Sequence, residues 1–329
     1  MLVNWCTAQD RRLKMEISVV VPVYGCPEAI KVLCNRLETT LNGITSDYEI
    51  ILVNDGCPKG SWNVIKEVCE QSNKVVGINL SRNFGQVNAT NAGIEYSTGK
   101  YVVLMDCDLQ DSPEAISQLW SKINEGYDIV FVEREKRKDN KIVLFWSKLF
   151  YKVYNHMVEG YYNPAIGNYC MVKRNVVDEY CGLPEHNKSF TTVLCWMGYR
   201  TATIQVEADE RFEGKSSYNM RKKINYAIDL ITFQSNKPLM FFIKLGLIIG
   251  GLAFLYIIYQ MCVYFFVGGT PSGWMSLIAV VCMLGGIQLA SLGVLGIYIG
   301  NIFNETKRRK SYFIQEVLNG KEDSNNRSK

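Results

Sequence analysis

In the first part of the chain, short runs of apolar residues alternate with longer segments that mix apolar and polar residues. The apolar runs are rich in β-branched residues and predict buried strands, and the segments between them predict helices. The strands are predicted at 17–24, 49–53, 75–80, 101–105 and 128–132, and the helices at 27–41, 61–71 and 85–96. This alternation indicates βαβ units and a mainly parallel, Rossmann-like α/β sheet.

Two later stretches, 245–267 and 274–300, are apolar and contain no charged residue. Each reaches the length of about 20 apolar residues that crosses the hydrocarbon core of a bilayer. Buried helices of a soluble protein are the alternative, but two uncharged runs in tandem argue against it. Because the connection at 269–272 is too short for a domain, we expect a transmembrane helical hairpin.

The basic residues near these stretches predict the orientation of the hairpin. Lys237 and Lys244 precede the first stretch, a basic run at 307–310 follows the second, and the connection contains neither Lys nor Arg. The positive-inside rule therefore places both ends in the cytoplasm. The first ten residues lack the apolar core of a signal peptide. We expect an integral protein of the inner (cytoplasmic) membrane with its main domain and both termini in the cytoplasm.

These patterns divide the chain into five segments. Residues 221–235 mix Lys and Arg with apolar residues, which is typical of an amphipathic helix that lies on a bilayer. The expected segments are an N-terminal extension (1–15), a cytosolic α/β domain (16–220), a juxtamembrane amphipathic helix (221–240), the hairpin (241–303) and a basic cytoplasmic tail (304–329).

Cysteine usage and charge exclude several classes of function. The eleven cysteines form no C-x-x-C pair, and the two histidines lie far apart, so no zinc site is predicted. In a reducing compartment we expect these cysteines to be small buried hydrophobic residues. The net charge of +4 comes mostly from residues next to the apolar stretches, which indicates lipid headgroups and not nucleic acid as the partner.

Polar or aromatic side chains follow four of the predicted strands. Tyr24, Asp55, Arg82 and Asp106 all come at or just after a strand's carboxyl end. In open parallel sheets these ends share one edge, where ligands bind. The sequence therefore predicts a ligand site at this edge.

The fourth strand ends in the acidic segment Met105–Asp111, MDCDLQD. Strand alternation points Asp106 and Asp108 to the same side. Their oxygen atoms, with that of Gln110, suit Mg²⁺ or Mn²⁺, which completes its shell with water and substrate phosphates. A solvated acidic turn is the alternative. A second charged segment follows the fifth strand and includes Arg134 and Arg137; it fits either a solvated run or a phosphate clamp near the membrane.

The motifs together resemble family 2 glycosyltransferases, in the branch that uses polyprenyl phosphates and includes bactoprenol glucosyltransferases and dolichyl-phosphate mannosyltransferases. The resemblance extends from residue 17 to residue 313. It is carried by VVVPVYG (19–25), VNDG (53–56), SRNFGQVNATNAGI (81–94), MDCDLQDSPE (105–114), RFEGKSSY (211–218) and the apolar hairpin with its basic end. It implies a GT-A fold with a nucleotide-binding α/β domain.

The resemblance also implies a role for each candidate residue. Pro22 and Tyr24 line the nucleotide pocket, Asp55 contacts the base or ribose, and Arg82 and Gln86 belong to the same donor site. Asp106, Asp108 and Gln110 bind the metal, while Arg211 and Lys215 hold the donor diphosphate or close over it. A surface salt bridge is the alternative for Arg211. Residues that fall where the family binds the lipid phosphate are Arg134, Arg137 and Ser147.

Two positions depart from the family pattern. The family usually has two aspartates before the glycine at 56, but here the first is Asn54, which leaves base selectivity open. A carboxylate expected after Gly167 is replaced by Asn168, so no catalytic role is assigned there. A phosphate acceptor is largely a dianion at neutral pH and needs little deprotonation. We therefore expect direct displacement with inversion, and Asp111 as the base if one is used.

The implied reaction is metal-dependent transfer of a sugar from a nucleotide-sugar donor to undecaprenyl phosphate. UDP-glucose is the favoured donor, but galactose, N-acetylhexosamine, mannose or amino-arabinose donors fit the same motifs. A processive polysaccharide synthase is disfavoured because its Q-x-x-R-W segment is absent. A non-catalytic membrane scaffold with a decayed transferase domain remains an alternative. Glycines in the hairpin allow close helix packing, either within one chain or between two copies, so a homo-oligomer is also open.

Overall fold

The computed structural model describes residues 15–134, 166–185, 188–206, 235, 237–267, 273–307 and 309–320. They belong to two compact units. The first is an α/β unit formed by the described residues of 15–134, 166–206 and 309–320. The second is helical and contains the described residues from 235 to 307.

The α/β unit is built on a mixed sheet with a parallel centre. Its described strands are β1 (Met15–Val23), β2 (Tyr48–Asn54), β3 (Val75–Leu80), β4 (Gly99–Leu104), β5 (Ile129–Arg134), β6 (Ile166–Lys173), β7 (Thr201–Val206) and β8 (Ile314–Leu318). Their order in the sheet is β7-β5-β6-β4-β1-β2-β3-β8. The central strands β4, β1, β2 and β3 are mutually parallel, as the sequence predicted, while β6 and β8 pair antiparallel with their neighbours.

Helices cover both faces of this sheet. Those that the structure describes are α1 (Pro27–Asn42), α2 (Ser61–Gln71), α3 (Gln86–Tyr96), α4 (Ile116–Ile123), α5 (Arg174–Gly182) and α6 (Phe190–Trp196). Along β1, Val19 and Val21 enter the core shared with α1, whereas Val20 enters the opposite core, which includes residues of α3. Burial on both faces explains why the central strands are continuously apolar.

A buried carboxylate fixes the amino ends of the central strands. Glu49 accepts hydrogen bonds from the Ser18 hydroxyl (2.6 Å) and from the Thr98 N–H (2.7 Å). At Gly99 the chains approach so closely that a Cβ atom would lie 2.5 Å from the Ser18 nitrogen. This end of the sheet is therefore occupied by structural contacts.

Strand β8 was not predicted from the sequence. It follows the second long helix, within the expected basic tail, and pairs antiparallel with β3 at one end of the sheet order. The Trp62 indole N–H donates to Glu316 (3.1 Å), and the Asn319 amide donates to the carbonyl of Cys69 (2.6 Å) at the end of α2. These contacts fasten β8 to the rest of the α/β unit.

The helical unit contains two long apolar helices, α7 (Lys237–Val267) and α8 (Trp274–Thr306). By length and composition, Lys237–Tyr256 and Met283–Thr306 can each cross a membrane. Large apolar side chains such as Leu247 and Leu289 are exposed, each at 72%, which suits lipid contact. Helix α7 begins earlier than the expected span, and the preceding amphipathic segment at 221–234 lies outside the described residues.

Candidate active site

The sheet reverses its winding between β1 and β4. From β1 the strands proceed through β2 to β3 on one side, while β4 lies on the other. The last β1–β4 pair is Val20 with Leu104, and the Met105 N–H then donates to the Val20 carbonyl (3.2 Å). Ligands of open α/β sheets bind outside the strand ends at such a reversal. The candidate residues lie at this point.

Pro22 and Tyr24 occupy the carboxyl end of β1. Pro22 is buried and lies two residues beyond Val20, after the β1–β4 pairing has ended. Its missing N–H therefore removes no bond to β4, which is the condition under which proline is tolerated in a strand. The Tyr24 side chain is 51% exposed. An exposed aromatic ring in this position is available to pack against a planar ligand.

Asp55, directly after β2, organises the neighbouring loop 81–85. The Asp55 side chain is only 2% exposed and accepts hydrogen bonds from the backbone N–H groups of Phe84 (2.7 Å) and Gly85 (3.0 Å). Burial raises the pKa of this carboxyl, although the two hydrogen bonds and the nearby Arg82 guanidinium oppose the rise. The carboxylate thus joins the ends of β2 and β3.

Gly56 allows this loop to approach. Its φ is +59°, and a Cβ atom there would lie 2.5 Å from the Asn83 nitrogen and 2.6 Å from the Arg82 carbonyl carbon. Any other residue would push loop 81–85 away from Asp55. The glycine of the VNDG motif is therefore required by the contact between the two loops.

Asn54, which stands where the family pattern has an aspartate, has a structural role. Its side chain is 3% exposed, and its amide donates to the Asn79 side-chain oxygen on β3 (2.8 Å). Its own oxygen accepts a hydrogen bond from the Cys57 N–H (3.4 Å). Both ends of the amide are used inside the protein. A carboxylate would lack the N–H donor that bonds Asn79.

Asp106 and Asp108 follow β4 and are both partly exposed, with the buried Cys107 between them. The Gln86 amide, at the start of α3, donates to Asp106 Oδ1 (2.7 Å). Asp108 Oδ1 accepts a hydrogen bond from the Gln110 N–H (3.2 Å). These contacts orient the two carboxylates at the edge where Asp55 also lies.

The next residues turn into the protein. Gln110 and Asp111 are 5% and 3% exposed, and Asp111 Oδ2 accepts a hydrogen bond from the Asp106 N–H (3.3 Å). Leu109 has a φ of +58°, a conformation that costs a bulky residue on the order of 1–3 kcal/mol. This tight turn is what brings Asp111 back to brace the backbone of Asp106.

The carboxylate pair fits a hard divalent cation. No group of three or more His, Cys, Asp or Glu side chains is placed to hold a metal within the residues that the structure describes. Mg²⁺ and Mn²⁺ need no such cage, since one or two carboxylates with water and substrate phosphates complete their shell. Asp106 and Asp108 meet this requirement, because both are partly exposed at the strand end.

The structure corrects the prediction that all cysteines are free hydrophobic residues. Cys26 and Cys107 form a disulfide, although Cys34, Cys69 and Cys170 are free and buried as expected. The physical reason is topology. Cys26 follows β1 and Cys107 follows β4, and these parallel strands are neighbours, so residues 81 positions apart in sequence meet at the same edge. The bond joins the Tyr24 loop to the acidic turn.

We expect this disulfide to stabilise the α/β unit. Cross-linking residues separated by 81 positions removes loop entropy from the unfolded chain, which the chain-entropy model puts at about 4.5 kcal/mol. A reductant should therefore lower the melting temperature of the wild-type protein in detergent. The double variant Cys26→Ser, Cys107→Ser should melt at the lower temperature and not respond to reductant. Equal reductant effects on both proteins would contradict this account.

An exposed ion pair joins Glu114, three residues after the acidic segment, to Arg36 of α1. Glu114 accepts two hydrogen bonds from the Arg36 guanidinium, at 2.9 and 2.6 Å. This contact lowers the pKa of Glu114 from 4.5 to about 2. The pair therefore stabilises the folded state above pH 4.5, and the stabilisation is lost as the pH falls toward 2.

Glu114→Gln should remove this pH dependence. Because the pair is solvent-exposed, we expect the variant to lose only about 0.5–1 kcal/mol near pH 7, and the difference from wild type to vanish near pH 2. Melting curves between pH 2 and 7 measure it. Arg36→Gln should behave in the same way, and the double variant should lose no more stability than either single variant. Additive losses would show that the two side chains act separately.

Several predicted site residues cannot be placed against this geometry. Arg134 is the last residue of β5. The other predicted lipid-phosphate residues, Arg137 and Ser147, and the predicted donor-phosphate residues, Arg211 and Lys215, lie outside the described residues. Arg82 is exposed in loop 81–85, with its guanidinium 4.1 Å from the centroid of the Phe84 ring.

Comparison with known proteins identifies related sequences. The profile described as Glycosyl transferase family 2 matches residues 18–181. An uncharacterized glycosyltransferase of Synechocystis sp. is 36% identical over 307 residues, which are 93% of this chain and 96% of that protein. A bactoprenol glucosyl transferase of Shigella phage SfX is 33% identical over 302 residues, covering 92% and 99% of the two chains.

Among solved structures, a mannosyltransferase from Pyrobaculum calidifontis in complex with GDP-Man and Mn²⁺ is similar. It is 14% identical, the match covers 94% of this chain and 92% of that one, and the TM-score is 0.49. The sequence relatives, which match nearly the whole length of the chain, are the stronger finding.

Proposed function

Because the chain belongs to glycosyl transferase family 2, we propose that this glycosyltransferase moves a sugar from a nucleotide-sugar donor to a polyprenyl phosphate in the membrane. The observation that carries the proposal is the pair of partly exposed carboxylates, Asp106 and Asp108, at the reversal point of the sheet. Relatives named bactoprenol glucosyl transferase support the lipid acceptor. The two long apolar helices support a site at a membrane.

The donor is proposed to bind along the carboxyl ends of β1, β2 and β4. Tyr24 and Asp55 contact the base and ribose, and Pro22 lines the pocket beneath them. Asp106 and Asp108 would hold a Mg²⁺ or Mn²⁺ ion, which would neutralise charge on the diphosphate leaving group. Gln86 orients Asp106 through its hydrogen bond. Gln110 remains a proposed metal ligand, and Arg82, Arg211 and Lys215 remain proposed members of the donor site.

The acceptor determines the chemistry. A phosphate monoester has a second pKa near 6 and is largely dianionic at neutral pH. One of its oxygens attacks the anomeric carbon while the bond to the donor diphosphate breaks, and the nucleoside diphosphate leaves with the electron pair. A single displacement inverts the anomeric configuration. The protein contributes orientation and charge stabilisation more than proton abstraction.

Asp111 is not needed as a base in this scheme. It is 3% exposed and accepts a hydrogen bond from the Asp106 N–H, so its contacts support a bracing role. The sugar proposed is glucose from UDP-glucose, delivered to undecaprenyl phosphate on the cytoplasmic face. Both chain termini are proposed to lie on that face, as the basic residues flanking the hairpin indicate.

A donor panel with product analysis tests this proposal. Purified protein in detergent, undecaprenyl phosphate and Mn²⁺ are incubated with UDP-glucose, UDP-galactose, UDP-N-acetylglucosamine or GDP-mannose. We expect one lipid-linked product, from UDP-glucose, and NMR should show a phosphodiester at an inverted anomeric carbon. A product with retained configuration would contradict the single displacement, and a product from another donor only would correct the sugar.

Arg137 is proposed to bind the phosphate of the lipid. The planar guanidinium fork suits phosphate oxygens. Arg137→Ala should raise the KM for undecaprenyl phosphate about tenfold, the loss of one charge-assisted contact, and leave the KM for the nucleotide sugar near its wild-type value. Lys138→Ala is the matched control, since it removes an adjacent charge. Equal increases of both KM values in Arg137→Ala would show that this residue does not belong to the acceptor site.

A further inference from the structure

The segment that follows α8 contacts the loop that surrounds Asp55. The Ser81 N–H donates to the Phe313 carbonyl (2.9 Å), which extends the β3–β8 pairing into loop 81–85. The Phe313 ring packs against the Phe84 ring, with their centroids 6.2 Å apart. Phe313 thus holds the loop through both its backbone and its side chain.

Loop 81–85 in turn leads to both halves of the candidate donor site. The Phe84 and Gly85 N–H groups donate to Asp55, and the adjacent Gln86 donates to Asp106. The Arg82 guanidinium lies over the Phe84 ring. A change in the position of Phe84 would therefore alter the hydrogen bonds of Asp55 and the orientation of Asp106 together.

The segment that carries Phe313 is itself firmly attached. The Tyr312 hydroxyl donates to Glu95 on α3, and the Asn319 amide donates to the carbonyls of Cys69, Ser72 and Val75. These bonds do not depend on the Phe313 ring, which is 54% exposed. The ring therefore contributes little to the core, and its described contact is the one with Phe84.

We propose that Phe313 is a positioning residue for the nucleotide site: by packing on Phe84 it holds loop 81–85 in the arrangement that presents Asp55 and Gln86. The inference rests on the proposed function, because it takes Asp55 and Asp106 as donor-binding residues. It also makes the segment after the membrane hairpin a part of the donor site. The hydrogen bonds that attach the strand do not involve the ring.

Phe313→Ala should loosen the loop without detaching the strand. The backbone bond from Ser81 to residue 313 remains, so the variant should fold. Losing one aromatic pair should raise the Kd for UDP in the presence of Mn²⁺ about tenfold. The KM for undecaprenyl phosphate should stay within about twofold of wild type. Phe313→Tyr keeps the ring and should restore UDP binding.

The test combines two measurements on the full-length protein in detergent. Hydrogen exchange followed by mass spectrometry reports the peptide that contains residues 81–86, where we expect faster exchange in Phe313→Ala. Calorimetry with UDP, and with GDP as a second nucleotide, reports binding. Val317→Ala is the matched control, because it truncates another exposed apolar side chain of the same segment, one that belongs to β8 and pairs with Ile78.

The outcomes separate this inference from the proposed function. Faster exchange and weaker UDP binding in Phe313→Ala, but not in Val317→Ala, would support the positioning role. Unchanged exchange at 81–86, or equal losses of UDP affinity in both variants, would overturn it. If the wild-type protein bound neither nucleotide, the proposed function would fail, while the exchange data would still decide whether Phe313 holds the loop.

Discussion

Asp108→Ala is expected to abolish sugar transfer while leaving the protein folded. The substitution removes one of two carboxylates proposed to hold the divalent ion, so the negative charge that develops on the diphosphate would lose its stabilisation. Removing such an electrostatic contribution typically costs about 1000-fold in kcat. Asp108 is partly exposed, and the bond that it accepts from the Gln110 N–H is local, so little stability should be lost.

Initial rates with Mn²⁺ and with Mg²⁺ measure this effect, and a melting curve in detergent checks the fold. Asp47→Ala is the control, because it removes an exposed carboxylate before β2, at the opposite end of that strand from Asp55. If Asp108→Ala turned over near the wild-type rate with either ion, the assignment of Asp108 as a metal ligand would be wrong. Loss of activity together with a collapsed melting transition would instead indicate a structural role.

Asp55→Ala should have the second largest effect, directed at the donor. It removes the acceptor for the Phe84 and Gly85 N–H groups and the proposed contact to the base or ribose. Hydrogen bonds to a charged group are each worth about 1.5–3 kcal/mol. A net loss in this range raises the KM for the nucleotide sugar about 100-fold. The KM for the lipid phosphate should change little.

Asp55→Asn is the matched variant, since the amide keeps one acceptor oxygen for the two backbone donors. The KM of Asp55→Asn for the nucleotide sugar should lie between the values of the wild type and of Asp55→Ala. Titration of the wild-type and variant proteins with UDP gives the same comparison without turnover. A donor KM unchanged in Asp55→Ala would exclude Asp55 from the donor site and would leave it only its contact with loop 81–85.

The central part of the fold could be predicted because its signals are local. Helix α2 and strand β3 lie at the predicted residues, and β1, β2 and β4 differ by a residue or two at their ends. Long β-branched runs separated by turn residues leave little choice of element. The placement of Tyr24, Asp55 and Asp106 at one edge then follows from the parallel pairing of the strands that precede them.

The features that escaped prediction depend on contacts between distant residues. Strand β8 is short and follows the long apolar helix α8, and its register with β3 is set by partners such as Trp62, 254 positions from Glu316. The Cys26–Cys107 bond likewise joins two loops that meet only because β1 and β4 are neighbours. The hydrogen bond between Gln86 and Asp106 has no sequence pattern that predicts it.

The role of Asn54 shows how a motif departure can be explained by structure. From the sequence, the missing aspartate left base recognition open. In the fold, both ends of the Asn54 amide bond to protein groups on β3 and in the following loop. The residue therefore stabilises the sheet edge that carries Asp55, and Asp55 is the carboxylate of the VNDG motif proposed to contact the nucleotide.

The formation of a labelled lipid tests the central proposal most directly. Full-length protein in detergent is mixed with undecaprenyl phosphate, UDP-glucose labelled in the sugar, and Mn²⁺, and the label that partitions into organic solvent is counted. We predict a glucosylated lipid that requires the lipid phosphate and disappears with EDTA and in Asp108→Ala. No labelled lipid from a folded protein that binds UDP, with this or any other sugar donor, would contradict transfer to a polyprenyl phosphate and favour a non-catalytic membrane protein.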